Sequence, residues 1–259
     1  MDELVLGEKL GHGWQKEVYG GQFRGTKVVV KVLIPSGKRV EFCLDEGHPV
    51  TYCHYYPYLV SLYEILLNEQ LDHPAIIKPL GYCIRDVENP PEEEEPPLDR
   101  GVITVYEFGE KVRPYKISNF TEKLQLSLQF TEMLDYFEHS PIGSLYINDL
   151  HHANIVRING QLKACDIEES WVSERRCGSG PDTKPCSFGV KCIDGECLGM
   201  NARHMMNRTN DYFFKLWLKN DSKNTQFQKE LSEISMSLKD NTTTAAQLGT
   251  GIKAILNKM

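Results

Sequence analysis

The stretch Asn148–Glu169, NDLHHANIVRINGQLKACDIEE, carries the reading that decides this fold. Asp149 stands five residues before Asn154, a short apolar hairpin follows, and the run ends on a second acid, Asp166. Moving a phosphoryl group requires a carboxylate beside the attacking hydroxyl and oxygen ligands that hold Mg²⁺ against the phosphates. Asp149 suits the first task, and Asn154 with Asp166 suits the second. Order and spacing both fit that chemistry.

Toward the N terminus, residues 4–34 alternate apolar and polar positions around glycines, the pattern of a β-meander. Gly11-His12-Gly13-Trp14-Gln15-Lys16-Glu17-Val18 falls between two predicted strands. Glycines at 11 and 13 let a hairpin backbone approach phosphates where a side chain would collide. Lys16 takes the place of a third glycine, where it either stiffens the loop or adds a phosphate contact. Val28-Val29-Val30 then lead into Lys31. An ammonium at the end of an apolar strand is costly without a partner, and Glu64 is the natural one. It lies in a helix predicted over 59–71, LVSLYEILLNEQL, with Leu62, Ile65 and Leu66 facing inward.

Ile76-Ile77, residues 80–84 and residues 101–108 read as further strands. Residues 121–138 read as an amphipathic helix capped by Thr121. Residues 208–219, 225–239 and 244–258 read as helices, and the glutamate run between Asn89 and Pro97 as a solvated loop. Strands dominate the first hundred residues and helices the remainder. The expectation is an α+β fold of two unlike lobes, 1–109 and 110–259, meeting near Glu107 to Lys111.

A formal charge of -7 argues against a dedicated nucleic-acid binder, which would carry a basic face. There is no apolar run of about 18 residues, so no membrane span is expected. Cys177, Cys186, Cys192 and Cys197 crowd a run rich in Gly, Pro, Ser and Asp. Oxidised extracellular domains use cysteines there as staples, whereas zinc sites show C-x-x-C or H-x-x-x-H spacings absent here. Four cysteines allow three connectivities, all open at this stage. Asn119-Phe-Thr, Asn207-Arg-Thr, Asn220-Asp-Ser and Asn241-Thr-Thr are glycosylation acceptor patterns. Together these favour an oxidising compartment, the secretory lumen or outside, over the cytoplasm. Met1-Asp2-Glu3-Leu4 opens no secretory leader, so on that reading Met1 is expected to begin a domain fragment or a truncated gene model.

Gly11, Gly13, Lys31, Glu64, Asp149, Asn154 and Asp166 taken in order resemble a eukaryotic-like protein kinase across nearly the whole chain. L-L-N-E-Q-L-D-H-P, L-G-Y-C, H-S-P-I-G-S-L and C-I-D-G-E-C-L-G-M-N narrow the likeness to secreted kinases of the vertebrate lonesome kinase type. The resemblance runs from about Leu10 to about Leu218. It implies a small β-rich N-lobe, a shortened helical C-lobe, ATP with Mg²⁺ or Mn²⁺, and phosphorylation of tyrosines on secretory-pathway and extracellular proteins. It also implies residue roles. Lys31 and Glu64 become the phosphate-anchoring pair and Asp149 the catalytic aspartate. Asn154 and Asp166 become metal ligands, while Gly11, Gly13, Val18 and Glu107 contact the nucleotide.

Departures from the kinase pattern carry information of their own. Ile147-Asn148 replace His-Arg, so no arginine stands ready for an activation-loop phosphate, and disulfides are expected to hold that segment instead. Asp166-Ile167-Glu168 replaces D-F-G, adding a carboxylate near the metal. His151 sits where many kinases carry a lysine or arginine near the γ-phosphate. D-L-H-H-A-N-I-V with D-I-E-E is also similar to aminoglycoside- and choline-type phosphotransferases, and the missing third glycine would suit a nucleotide-binding pseudokinase. Both remain alternatives at this stage.

Overall fold

The computed structural model describes residues 3–34, 37–85, 101–180, 183–218 and 225–259. The glutamate loop and the Asn220 acceptor lie outside them. The chain forms two compact units, one of Met1–Asp72 with Ile76–Glu110, the other of His73–Ala75 with Lys111–Met259.

Unit one is built on a five-stranded antiparallel sheet of β1 (Leu4–His12), β2 (Lys16–Phe23), β3 (Thr26–Leu33), β4 (Pro79–Ile84) and β5 (Val102–Glu107). Its order is β1-β2-β3-β5-β4. Arg24 and Gly25, both at positive φ, close the two-residue turn from β2 to β3. The valine run of β3 divides by the two-residue period of a strand. Val28, Val30 and Val32 pack with Leu4, Ile103 and Val105 on one face. Lys31 and Leu33 belong to the other face, where Leu33 packs with Val102 and with Tyr58 and Ile65 of helix α2 (Val50–Gln70). Helix α1 (Lys38–Asp45) precedes α2 and is tied to it by a Cys43–Cys53 disulfide.

Two expectations need correcting here. Leu66 does not face inward but is 57% exposed, because α2 buries Ser61, Glu64, Ile65 and Asn68 on one stripe and Leu66 falls across the helix from Glu64. Ile76 and Ile77 are buried yet form no strand, since an apolar pair between Pro74 and Pro79 carries no usable periodicity.

The short strand β6 (Glu110–Lys111) lies where the chain passes into unit two. Unit two is organised around helix α3 (Phe120–Glu138). Asn119, rather than Thr121, caps it, its Oδ1 accepting from the Glu122 N–H at 2.9 Å. Phe130 of α3 stands 4.3 Å from Phe213 and 5.8 Å from Trp217, ring centre to ring centre. Buried aromatic pairs of this kind contribute ~0.5–1.5 kcal/mol each beyond their area. Trp217 also donates to the Pro114 carbonyl at 3.1 Å.

Helix α4 (Met200–Thr209) starts eight residues before the predicted 208–219 and runs through a π-turn, Asn210–Phe214, into α5 (Lys215–Trp217). That turn shifts the helical register and hid the element from a constant period. Helices α6 (Gln228–Lys239) and α7 (Ala245–Leu256) follow, the latter opened by a Thr244–Gln247 capping box. A Cβ at Gly249 of α7 would stand 2.8 Å from Thr131 Oγ1, so a hydrogen there lets α7 lie against α3.

The remaining strands are β7 (Tyr146–Ile147), β8 (Ile155–Ile158), β9 (Gln161–Ala164) and β10 (Ser170–Trp171). Asn159 and Gly160, at φ 51° and 83°, form the β8–β9 turn, which needs positive φ at both positions. β7 pairs with β10, Ile147 opposite Ser170. No described helix is long and apolar enough to cross a membrane.

Candidate functional site

In unit one, Gly13 donates its N–H to the Lys16 carbonyl at 2.8 Å, closing the turn between β1 and β2. Neither Gly11 nor Gly13 has positive φ, and a Cβ at Gly11 would meet only the Val18 Cβ at 4.0 Å. The chain's own packing therefore does not demand glycine at 11. A bare backbone there leaves room for a ligand to approach, as a phosphate-binding turn requires.

Val18 is opposite Lys31 across the β2–β3 ladder, and Glu107 is opposite Val28 across β3–β5. Lys31 Nζ donates to Glu64 Oε1 at 2.8 Å, and Lys16 Nζ to Glu64 Oε2 at 2.5 Å. Lys31 and Glu64 are buried, Glu64 to 2% side-chain exposure, and Lys16 is mostly covered at 11%. Burial alone would push the Glu64 carboxyl up, but Lys16 and Lys31 beside it hold it down to about 2. The carboxylate is thus ionised and shared between two ammoniums. Sequence reasoning paired Lys31 with Glu64 and allowed Lys16 a stiffening role or a phosphate contact, but missed that Lys16 also pairs with Glu64; the signal was its spacing of two from Val18, which puts both on the strand face that carries Lys31.

In unit two, Asn154 ends a short helical turn, its N–H donating to the His151 carbonyl at 2.9 Å. Its Nδ2 donates to the Asp149 carbonyl at 2.9 Å and to Asp149 Oδ2 at 2.8 Å. Both amide hydrogens go to one residue, so the amide is oriented with Oδ1 as its remaining acceptor. His151 Nε2 is 3.2 Å from Asp149 Oδ1, while its Nδ1 accepts from the Ala153 N–H. Asp149 is about half exposed.

Cys165 N–H donates to the Asn154 carbonyl at 3.0 Å, which fixes the backbone just before half-buried Asp166 to the Asn154 turn. Ile167 is 1% exposed, filling the place of the phenylalanine in D-F-G, and Glu168 is half-buried. Asn148, standing where kinases carry arginine, donates from Nδ2 to Glu169 Oε2 and from its N–H to the Glu169 carbonyl, bracing the β7–β10 pair. The oxygen donors of Asn154 and Asp166 are the hard set that Mg²⁺ or Mn²⁺ prefers.

Beyond β10 the cysteine segment is pinned by Cys177–Cys192 and Cys186–Cys197, one of the three connectivities open to sequence. Glu174 accepts from the Gly199 and Asn201 N–H groups at 3.0 Å each, capping the first turn of α4. Asn201 Nδ2 returns to the Ser144 and Ser173 carbonyls. Glu174 and Asn201 were not foreseen, because their partners are distant in sequence.

No family model matches the chain. It is 27% identical over 235 residues to the human "Extracellular tyrosine-protein kinase PKDCC", a match covering 80% of this chain and 45% of that protein. It is 25% identical over 202 residues to the "Probable serine/threonine-protein kinase drkA" of Dictyostelium discoideum, covering 77% of this chain and 25% of the relative. The chain thus spans less than half the length of the curated relatives it matches.

Proposed function

We propose that this chain, an atypical relative of the protein kinases with their two-lobed α+β fold, is one kinase domain, its lobes 1–109 and 110–259. It transfers the γ-phosphoryl group of ATP to tyrosine hydroxyls of secretory-pathway or extracellular proteins. Unit one's share is the nucleotide. Gly11 and Gly13 give backbone to the phosphates, Val18 covers the base, and the backbone at Glu107 reads its edge. Lys31, held by Glu64, anchors the phosphates.

Unit two's share is the transfer. Asp149 accepts the proton of the attacking hydroxyl and aims it at phosphorus, while Asn154 Oδ1 and the Asp166 carboxylate hold the cation. When bound, the cation and triphosphate supply the activated phosphoryl group and neutralise its developing charge. The observation that carries the reading is the double hydrogen bond from Asn154 to Asp149. It presets a base and a metal ligand on one turn, and electrostatic preorganisation is the main source of rate in phosphoryl transfer. Tyrosine specificity and secretory substrates take their support from the human relative and from three disulfides suited to an oxidising compartment.

The test is labelled ATP with Mg²⁺ or Mn²⁺, protein from an oxidising host, and a mixture of secreted proteins. Label on tyrosine that vanishes in Asp166→Ala is the expected result. Label only on small alcohols indicates an aminoglycoside- or choline-type phosphotransferase. Nucleotide binding without transfer indicates a pseudokinase. Either outcome overturns the protein-kinase reading.

A further inference from the structure

We infer that Lys16 is a second phosphate-binding lysine, sharing Glu64 with Lys31 and meeting the nucleotide's phosphates beside it; the inference rests on the nucleotide reading above. Three observations carry it. Lys16 is the first residue of β2, immediately after the turn that Gly13 closes onto the Lys16 carbonyl. Its side chain shares a strand face with Val18, two residues on, and with Lys31 opposite Val18. A nucleotide whose base lies over Val18 and whose phosphates approach the glycine turn runs along that face toward Lys16.

The third observation is the shared carboxylate. Lys16 Nζ and Lys31 Nζ contact the two oxygens of Glu64 at 2.5 and 2.8 Å. The two ammoniums are therefore separated by no more than those contacts and the width of one carboxylate. A phosphate within reach of one is within reach of the other. Glu64 in turn keeps a cation on one oxygen when the other ammonium leans toward a ligand, so neither movement strands a buried charge.

Placement also accounts for the missing third glycine. A lysine there gives up backbone freedom but contributes a charge-assisted donor to the phosphates. A pair of lysines on one triphosphate further implies partial redundancy, with Lys31→Met retaining measurable nucleotide affinity.

The test uses the intact chain and an acyl-phosphate derivative of ATP. Its acyl group passes from the terminal phosphate oxygen to a nearby lysine Nζ, forming an amide and releasing ATP and a proton. Peptide mass spectrometry should find Lys16 and Lys31 both acylated, with unlabelled ATP protecting both but not exposed Lys9. In parallel, Lys16→Met should weaken binding of a fluorescent ATP analogue roughly tenfold and Lys16→Arg should largely restore it. Labelling on the wild-type chain does not depend on how the variants fold. Acylation of Lys31 without Lys16, or unchanged affinity in Lys16→Met, overturns the inference and leaves the nucleotide reading standing. A wild-type chain that neither binds the analogue nor becomes acylated overturns both.

Discussion

At the scale of single residues, Asn154 and Glu64 do opposite jobs with similar atoms. Asn154 is half-buried on a turn with no buried residue and gives its amide hydrogens to Asp149, so removing it disturbs no core. Asn154→Ala should lower kcat by about 10²–10³, the loss typical of one preorganised electrostatic group, while the melting temperature stays near wild type. Paired rate and melting measurements check this, and a fold-wide loss of stability would refute it. Glu64 is buried and ionised. Its pKa falls from 4.5 to about 2 on folding, so the folded state binds fewer protons than the unfolded one. The stability it contributes is complete above about pH 4.5 and drains away as pH falls toward 2. The gap in unfolding free energy between wild type and Glu64→Gln should therefore narrow across that window in denaturant titrations. A gap independent of pH would mean the carboxylate is not held by its lysines.

At the scale of elements, caps and cross-links decide where helices begin and what they carry. Asn119 and Thr121 are both good cap residues, two positions apart, and the backbone chose the one whose third following N–H belongs to Glu122. Asn119→Ala should cost about 1 kcal/mol in chemical denaturation, and Thr121→Ala a few tenths at most, as for an ordinary exposed first-turn residue. Equal costs would contradict the cap assignment. Helix α2 carries Glu64 and is tied near its start to α1 through Cys43–Cys53. Closing so short a loop restricts the unfolded chain, and a Cys43→Ser, Cys53→Ser double variant should lose ~2–3 kcal/mol of unfolding free energy. If nucleotide affinity falls with it, the disulfide also positions Glu64. If stability is unchanged, the bond adds nothing to the fold.

At the scale of the whole molecule, we propose that disulfides hold the cysteine segment in place of the phosphorylated loop used by kinases with an arginine before the catalytic aspartate. Asn148 here braces β7 and β10, and Cys177–Cys192 with Cys186–Cys197 ties the stretch leading into α4. Mild reduction should lower transfer activity several-fold and open new protease cuts between 177 and 197 before any cut in α3; unchanged activity with the segment reduced would sink the idea. Much of this was legible beforehand. The spacing of Asp149, Asn154 and Asp166, the valine strand ending on Lys31, and the strand-rich half before the helical half all follow from periodicity and local order along the chain. What periodicity cannot hold is distance between residues far apart in sequence. Which cysteines pair, that Cys43 and Cys53 pair at all, that Glu174 caps α4, and that Lys16 joins Lys31 on Glu64 were settled only when β-strand faces and helix stripes packed. A linear pattern names which groups are present and in what order. Burial and the pairing it forces on charged and polar groups determine which of them meet.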